Sequence, residues 1–222
     1  MYWILFISIA LISWAVSALL ERRFKEYSQV SIALTGRQVA EKMLRDNGIT
    51  DVQVTCTQGH LTDHYDPRTK TVNLSESVYN SATVAAAAVA AHECGHALQH
   101  AFAYAPLRMR SALVPVVNFA SQWLTWILLA GILMLQSFPQ LLTVGVVLYG
   151  LTTLFAFITL PVEINASTRA VAWLEMAGIT DRQTTPMAAR ALRSAAYTYV
   201  VAALASLGTL IYYVMILVGR RD

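Results

Sequence analysis

The residues with the most evident chemistry form one short segment, His92-Glu93-Cys94-Gly95-His96, which matches the pattern H-E-x-x-H. On a helix, residues four apart lie on one face about 6 Å apart, so two imidazoles at this spacing can converge on one metal ion. Zinc held in this way lowers the pKa of a bound water to about 7 and polarises a carbonyl group. Glu93 lies on the flank of the same face and can move the proton of that water to a leaving amine. The segment predicts a zinc peptidase with ligands His92 and His96 and general base Glu93, rather than two surface histidines.

The third metal ligand must come from another part of the chain. His100 lies eight residues beyond His92, about 12 Å along a helix, which is too far to share the ion. The metzincin pattern needs Gly and His three and six residues after His96, and this chain has neither there. A glutamate from a second helix remains, as in gluzincins. We predict Glu163, because a carboxylate at the end of an apolar span is costly without a partner, with Glu175 as the alternative.

Further polar residues are expected around the metal ligands, because hydrogen bonds from neighbouring groups usually orient them. Ser167 lies one helical turn after Glu163 and is predicted to contact His92 or Glu163. A donor is also needed near the oxygen that becomes negatively charged in the reaction, and the sequence does not rank the candidates. Cys94 is expected to face away from the metal as a small core residue. The residues predicted to orient ligands or to stabilise the substrate are Ser167, Asn165, Arg169, His64 and Tyr65.

The composition indicates a membrane protein. Of the 222 residues, 56% are hydrophobic and 13% are charged, about half the roughly 25% charged share of soluble domains. No Asp, Glu, Lys or Arg occurs before Glu21, between Arg110 and Glu163, or between Arg193 and Arg220. Uncharged apolar stretches of about 20 residues can cross a bilayer as helices. We therefore predict a mostly α membrane protein with one small gluzincin-like α+β domain and four transmembrane helices, at Tyr2–Leu20, Ala112–Gln136, Leu141–Leu160 and Tyr197–Val218.

Two short segments refine this topology. Only Ser137-Phe138-Pro139-Gln140 separates the second and third spans, so these spans are predicted to form an antiparallel helical hairpin. Because the hairpin goes out and returns, Glu163 lies on the same side of the membrane as the H-E-x-x-H segment. Val16-Ser17-Ala18 resembles a signal-peptide cleavage site, but no basic residue precedes the apolar run, as a signal peptide would require. We therefore interpret the first apolar stretch as a span.

Basic residues predict which side of the membrane carries the chemistry, because cytoplasmic loops are rich in Lys and Arg. Most of them fall on the side of the H-E-x-x-H segment, and only Arg220 and Arg221 oppose this assignment. We expect a multi-pass protein of the cell's inner membrane, with both termini outside the cytoplasm and the catalytic region facing the cytoplasm. The residues on which this orientation rests are Arg22, Arg23, Lys25, Arg108, Arg110, Arg169, Arg182, Arg190 and Arg193.

The polar region after the first span begins with a helix signature. Thr35 followed three residues later by Gln38 is a capping-box pattern, and it predicts an amphipathic helix over about Gly36–Asn47 with Gly48 as its stop. From Ser81 the chain is rich in alanine, the best helix former. That helix is expected to run through the H-E-x-x-H segment.

Between these two helices the pattern is typical of strands. Val52–Cys56 alternates and is rich in β-branched residues, and Thr71–Leu74 is its predicted partner. Asp66–Thr69 has turn chemistry, so we predict a β-hairpin. The predicted organisation is a transmembrane helix at 1–20, a cytoplasmic α+β region at 21–111, a transmembrane hairpin at 112–160, a cytoplasmic helical segment with the third ligand at 161–196, a transmembrane helix at 197–219, and a tail at 220–222.

Four segments carry a resemblance to a known family, namely Leu34–Gly36, Leu61–Arg68, Val89–Gln99 and Leu160–Ser167. Through them nearly the whole chain resembles the YugP-like family of bacterial membrane zinc metallopeptidases, also called neutral zinc metallopeptidases. The chain is also similar to membrane gluzincins of the CAAX-protease and heat-shock-protease type. These resemblances imply a prokaryotic membrane peptidase with one catalytic Zn²⁺. They also imply that a strand near Val72–Leu74 lines the cleft and holds the substrate as an added strand, and this chain has Ser167 where those relatives carry Asp.

Alternative functions belong to other classes. An intramembrane protease of the site-two type would carry its third ligand in a Leu-Asp-Gly segment, which is absent here. A non-catalytic scaffold with a structural metal would not need Glu93 as a base. A net charge of +3 without a basic stripe excludes nucleic-acid binding, and Cys56 and Cys94 are too few for a disulfide framework. The expected partners are a peptide or protein substrate associated with the membrane, the lipid bilayer, and a membrane-protein partner or a second copy of the chain.

Overall fold

The computed structural model of the chain describes residues 2–59 and 62–219 and is mostly helical with one three-stranded sheet. Leu61 of the second family-like segment, Arg220, Arg221 and the predicted tail 220–222 lie outside the described residues. In chain order the elements are α1 (Tyr2–Tyr27), α2 (Gly36–Asp46), β1 (Gln53–Thr57), β2 (His64–Asp66), β3 (Thr71–Ser75), α3 (Glu76–Tyr79), α4 (Val84–Ala101), α5 (Ala105–Leu133), α6 (Pro139–Met176) and α7 (Thr185–Val218).

Three of the described helices, α5, α6 and α7, are long and apolar enough to cross a membrane. With 38 residues, α6 is about 57 Å long, whereas about 20 residues cross the hydrocarbon core of a bilayer. About half of α6 therefore extends beyond such a core. The predicted boundary between the membrane hairpin and the helical segment after residue 160 falls inside α6, which continues through Pro161, and the place where the chain leaves the membrane stays a prediction. The helix α1 covers the first predicted span but is not among the three, so a fourth span stays a prediction.

The helices α5 and α6 are joined by a short connection and pack closely along each other. A Cβ atom added to Gly131 of α5 would lie 2.7 Å from the Cα atom of Leu142, and one added to Gly145 would lie 2.8 Å from Leu128 Cδ2. Leu124, Leu128 and Leu142 form a small buried cluster at this contact. Small residues thus bring the two backbones together, as is common between apolar helices.

The sheet corrects the predicted strand pairing. The predicted partners β1 and β3 do pair, with Val54 opposite Val72, but they are parallel and therefore do not form a hairpin. The hairpin is formed by β2 and β3, which are antiparallel, with Tyr65 opposite Val72. The turn between β2 and β3 contains an Asp66 carboxylate that accepts a hydrogen bond from the backbone N–H of Arg68 at 2.8 Å.

The strand order is β1-β3-β2. The segment Val72–Leu74, predicted to receive the substrate, is therefore the central strand and has no free edge in this sheet. Its two neighbours occupy both of its hydrogen-bonding sides. Strand β2, which contains Tyr65, pairs with β3 on one side, and within the described sheet its other edge has no partner strand. Alternation in a sequence predicts which side chains share a face, but it does not predict strand direction or order.

The helix α2 begins and ends as its sequence predicts. The Thr35 hydroxyl accepts a hydrogen bond from the Gln38 backbone N–H, and the Gln38 side chain accepts one from the Thr35 backbone N–H, which completes the capping box. Gly48 follows the helix end with φ of 71°, a left-handed conformation that favours glycine. The buried side chains of Val39 and Met43 anchor α2 in the main core.

The main core joins the small α+β region to the ends of the long helices. Leu74 of β3, Leu98 of α4, Leu174 of α6 and Leu192 of α7 belong to one buried cluster. The polar region therefore shares its hydrophobic core with the long helices and does not have a separate one. It is packed against the parts of α6 and α7 that extend beyond the apolar stretches, and this packing holds α4 against α6.

Candidate metal centre

Helix α4 places the two histidines and the glutamate of the H-E-x-x-H pattern on one side of one helix. Thr83 caps the helix by accepting a hydrogen bond from the Ala86 backbone N–H, and the alanine run that follows has high helix propensity. The imidazole rings of His92 and His96 lie with centroids 4.7 Å apart. Because the two rings are one turn apart, their Nε2 atoms can face the same point.

Glu163 of α6 brings a third ligand atom to this point. Its Oε2 atom lies 3.3 Å from His92 Nε2 and 3.6 Å from His96 Nε2, and the three atoms all lie within 4.8 Å of one another. Four-coordinate zinc with bonds of about 2.0–2.2 Å separates neighbouring ligand atoms by roughly 3.3–3.6 Å. The two distances from Glu163 Oε2 therefore match those in a tetrahedral zinc site with one position left for water or substrate.

The Oε2 atom of Glu163 itself indicates a cation. It is buried, and among the described residues it has no hydrogen-bond partner with suitable geometry. A buried carboxylate oxygen without a partner is costly, and here it faces two ring nitrogens that can also supply lone pairs. Two nitrogens and one oxygen that converge in this way form the ligand set of a His₂Glu zinc centre. The exposed Glu175, the alternative ligand, lies outside this group.

A glycine makes the close approach of α4 and α6 possible. A Cβ atom on Gly95 would lie 2.7 Å from the carbonyl oxygen of Ala166 and 3.0 Å from its Cα atom. Any larger side chain at this position would therefore push α6 away from α4. Since Glu163 is one turn before Ala166 on the same helix, the contact at Gly95 also sets the distance between the carboxylate and the two imidazoles.

Both histidines have a hydrogen-bond partner on the ring nitrogen that faces away from the metal point. His92 Nδ1 lies 3.1 Å from the Ser167 hydroxyl, and His96 Nδ1 lies 3.0 Å from Gln99 Oε1. When each Nδ1–H donates to its oxygen partner, each Nε2 keeps its lone pair for a metal ion. The predicted contact between Ser167 and His92 is thus present in the geometry.

Gln99 connects His96 to α6 and was not predicted as a site residue. Its side chain is fully buried. Its amide nitrogen donates to the carbonyl oxygen of Val162 at 2.7 Å and to Asn165 Oδ1 at 3.1 Å, so its oxygen must be the atom that accepts from His96. Arg169 Nε donates to the same Asn165 oxygen at 2.8 Å. Asn165 and Arg169 therefore reach the metal ligands through Gln99, not directly.

Glu93 lies at the edge of a cavity of about 340 Å³ that also contains the three ligand atoms. Its side chain is largely buried, with 8% of the residue exposed. The predicted residues His64 and Tyr65 of β2 line the same cavity, whereas Arg169 is not among the residues that line it. Arg110 of α5 and Tyr199 of α7, which the sequence did not mark as site residues, also line it.

These added residues left only weak signals in the sequence. Arg110 is the last charged residue before the long uncharged stretch that ends at Glu163, a position that does mark it as unusual. Tyr199 is one of several aromatic residues near the end of a predicted span, where tyrosine is common for other reasons. Gln99 follows the H-E-x-x-H segment at the spacing of one turn from His96, which places it on the same helix face.

Burial and nearby charges shift the pKa values of two side chains of α4, His96 and Cys94. Burial alone would lower the pKa of His96, but the neighbouring carboxylates of Glu163 and Glu93 and the contact with Gln99 raise it above its ordinary value of 6.5. Burial also raises the pKa of the Cys94 thiol, whose sulfur is 3.6 Å from the Ala40 carbonyl oxygen. Cys94 is therefore a neutral core residue that faces α2, as its position on the helix predicts.

The group formed by His92, His96 and Glu163 suits a metal ion, and comparison with known proteins identifies the family of the chain. A sequence model of the family described as "Putative neutral zinc metallopeptidase" matches residues 2–218, and the chain belongs to this family. It is 43% identical over 201 residues to the "Putative membrane protease YugP" of Bacillus subtilis (strain 168), an alignment that covers 90% of this chain and 88% of that protein. No solved structure matches the chain significantly.

Proposed function

We propose that this protein is an integral-membrane zinc endopeptidase in which Glu93 is the general base. The observation that carries the proposal is the convergence of His92 Nε2, His96 Nε2 and Glu163 Oε2 within 4.8 Å of one another, beside a largely buried glutamate. A zinc ion held by these three atoms supplies a Lewis acid for the scissile carbonyl and for the attacking water. An intact base beside the ligands favours catalysis over a purely structural metal.

The protein groups divide the work of peptide hydrolysis. Glu93 accepts a proton from the water whose oxygen adds to the carbonyl carbon of the scissile bond. When the carbon–nitrogen bond breaks, Glu93 returns the proton to the amine that leaves. Ser167 and Gln99 hold the imidazoles of His92 and His96 in the orientation and tautomer that direct Nε2 at the metal. The products are a free carboxylate and a free amine.

The substrate is proposed to be a peptide or protein segment presented at the membrane. Arg110 and Val114 of α5 and Tyr199 of α7 line the cavity, and these helices are long and apolar enough to cross a bilayer. The cavity therefore has walls formed by helices whose continuations suit lipid. The free edge of β2, beside His64 and Tyr65, offers backbone groups on which an extended substrate can lie as an added strand.

The proposed location is the inner membrane, with four spans including α1 and with the metal centre at the cytoplasmic surface. This orientation rests on the basic residues near the span ends and on the apolar stretch of α1, which has no charged residue before Glu21. A cysteine scan with a membrane-impermeant thiol reagent tests it. Cysteines placed at the exposed positions 182 and 183 should stay unlabelled in intact cells until the membrane is opened. Labelling in intact cells would contradict this orientation.

The decisive experiment separates metal binding from chemistry. Purified Glu93→Gln should keep stoichiometric zinc but lose peptide cleavage by about 100- to 10,000-fold, the usual contribution of a general base. Glu163→Ala should lose zinc and activity together, whereas Glu175→Ala, an exposed glutamate on the same helix, should keep both. The measurements are metal analysis by mass spectrometry and cleavage of a peptide library in detergent or liposomes.

Two results would end the proposal. If zinc-loaded wild-type protein cleaves no member of peptide and membrane-protein libraries, the scaffold function gains. If Glu163→Ala retains zinc with unchanged affinity, the ligand set is wrong.

A further inference from the structure

Among the described residues, none accepts a hydrogen bond from one of the N–H groups of the Arg110 guanidinium. Its Nη1 atom lies 3.7 Å from Glu163 Oε1, a charge contact that is longer than a hydrogen bond of about 2.7–3.2 Å. Its Nε atom is buried, and among the described residues it has no hydrogen-bond partner. An arginine is charged at any physiological pH, so a buried N–H of this group is expected to find an acceptor when the protein acts.

The position of Arg110 on α5 makes this unused donor informative. Arg110 lines the cavity together with Glu93 and Glu163, and it directly precedes the uncharged stretch that suits lipid. An arginine at the end of a span is common, but this one lies beside the buried carboxylate of Glu163. The Nη1 atom of Arg110 faces Oε1 of Glu163, whose Oε2 atom faces the metal point. The other nitrogens of the guanidinium therefore lie close to the place where a bound peptide bond would react.

The two donors predicted from the sequence, His64 and Tyr65, already have hydrogen-bond partners. The ring of His64 has Nδ1 at 2.8 Å from the Thr62 carbonyl oxygen and Nε2 at 3.2 Å from Asn73 Nδ2. With Nδ1–H donating to a carbonyl, Nε2 is an acceptor and has no proton to offer. The Tyr65 hydroxyl lies 3.3 Å from His100 Nδ1. Tyr199 and Ser111 also bring hydroxyl groups to the lining, but among the described residues that line the cavity Arg110 is the one with a permanent positive charge.

We propose that Arg110 is a catalytic residue that donates hydrogen bonds to the oxygen of the scissile carbonyl and stabilises the negative charge that develops on it. This inference rests on the proposed peptidase function and names the residue that completes it. A fixed positive group beside the reacting oxygen acts mainly in the transition state, because the charge it meets is small in the bound substrate and large after attack. Its contact with Glu163 holds the guanidinium in place before the substrate arrives.

Kinetics of matched variants test this role. Arg110→Gln should lower kcat by about 100- to 1,000-fold, the usual effect of removing one such donor, with a much smaller change in KM. Arg110→Lys should restore part of the rate, because the charge remains while the planar fork is lost. Arg108→Gln, an exposed residue on the same helix, should behave as wild type. Added guanidinium chloride at millimolar concentration should raise the rate of Arg110→Ala and not that of Arg108→Gln.

Two further measurements exclude an indirect role through Glu163. All kinetics are measured at saturating zinc, with zinc content and zinc affinity determined for every variant. A phosphinic analogue of a cleaved peptide, which carries the tetrahedral anionic centre, should lose about 100-fold in affinity for Arg110→Gln, while the uncleaved peptide bound to Glu93→Gln/Arg110→Gln should lose only a few-fold relative to Glu93→Gln.

The outcomes separate the inference from the function on which it rests. If wild type cleaves peptides and Arg110→Gln keeps its kcat at saturating zinc, the inference is wrong and the proposed function stands. Loss of kcat in Tyr199→Phe but not in Arg110→Gln would assign the donor to the tyrosine and overturn the inference. A zinc-loaded wild type that never cleaves refutes the proposed function itself.

Discussion

Each half of α6 packs closely against a neighbouring helix through a glycine of that helix, but the two contacts have different consequences. In the apolar half, residues 139–160, Gly131 of α5 meets the backbone of Leu142, and the contact is surrounded by leucines. In the polar half, residues 161–176, Gly95 of α4 meets the backbone of Ala166. Here the surroundings are Glu163, Gln99 and the hydrogen bonds between them and their neighbours.

The comparison separates stability from positioning. In the apolar half a small displacement at the Gly131 contact loses mainly van der Waals contact, because the side chains clustered at this contact are leucines. In the polar half a similar displacement changes the separation of three ligand atoms and breaks buried hydrogen bonds. Close packing through a glycine therefore fixes a structure in one half and a chemical centre in the other.

The most direct test of this contrast adds one methyl group at each of the two glycines, Gly95 and Gly131. Gly95→Ala should lower activity by about 100-fold or more, because misplacing reacting groups by about 1 Å has an effect of this size, and zinc affinity should fall with it. Gly131→Ala should destabilise the protein by about 1–3 kcal/mol, the usual cost of overpacking, while zinc-saturated protein keeps its activity. Zinc titration, peptide cleavage and thermal unfolding in detergent measure these effects.

Gly150→Ala serves as the control for both variants, because nothing lies within 4 Å of a Cβ atom added there. It should leave zinc affinity, activity and stability close to wild type. The contrast between the halves would be refuted if Gly131→Ala and Gly95→Ala lost activity equally at saturating zinc.

A smaller effect is expected from removing the buried amide of the polar half. Gln99→Leu keeps a similar volume but removes the acceptor of His96 Nδ1 and the donor to the Val162 carbonyl oxygen. Loss of a group that orients a zinc ligand usually weakens metal binding by about 10- to 100-fold, and we expect a change in this range by competition with a chelator of known affinity.

The matched change in the apolar half is Thr153→Ala, which removes a buried hydroxyl 2.7 Å from the Ser206 hydroxyl. It should alter thermal stability and leave zinc affinity unchanged. Equal zinc affinity in Gln99→Leu and wild type would show that Gln99 does not orient His96.

The smallest predicted effect is the dependence of zinc binding on pH. The pKa of His96 is raised above 6.5 by nearby carboxylates in the metal-free protein, and a proton on the imidazole must leave before zinc binds. Zinc affinity should therefore be constant at high pH and fall by about tenfold per pH unit below the raised pKa when one proton is displaced. Calorimetric titration in buffers of different ionisation enthalpy measures both affinity and proton release.

The stability of the metal-free protein should show the opposite sign. Because the folded pKa lies above the ordinary value, protonation of His96 favours the folded state. This contribution is complete below about pH 6.5 and is lost as pH rises through the raised pKa. The difference in stability between Thr153→Ala and wild type should be the same at each pH, since neither hydroxyl at that contact titrates.

Much of the fold could be predicted because local patterns determine it. Of the four spans that the uncharged stretches predicted, three correspond to helices that are long and apolar enough to cross a membrane, and the capping box of Thr35 and Gln38 predicted the start of α2. Strand direction could not be predicted in the same way, since β2 has only three residues and too few positions to show alternation. That the third span and the segment with Glu163 form one continuous helix, α6, was not predicted, because a proline inside a helix usually kinks or ends it.

The site follows a similar division. The spacing of His92 and His96 is a local property of one helix, so the sequence contained it directly. Glu163 was predicted because its position beside an apolar stretch is chemically unusual, and the structure brings its Oε2 atom to the two imidazoles, although its role as a ligand stays a prediction. Arg110 and Gln99 act across helices, and their contacts depend on how α4, α5 and α6 pack.

The order of the ligands along the chain has a consequence for biogenesis. His92 and His96 are synthesised first, and Glu163 follows only after the whole of α5 and the apolar half of α6. A nascent chain that ends within the hairpin therefore has two imidazoles and no third ligand. The proposed metal centre can be completed only when the hairpin has closed and returned the carboxylate to α4, so the proposed peptidase would gain activity only after that step.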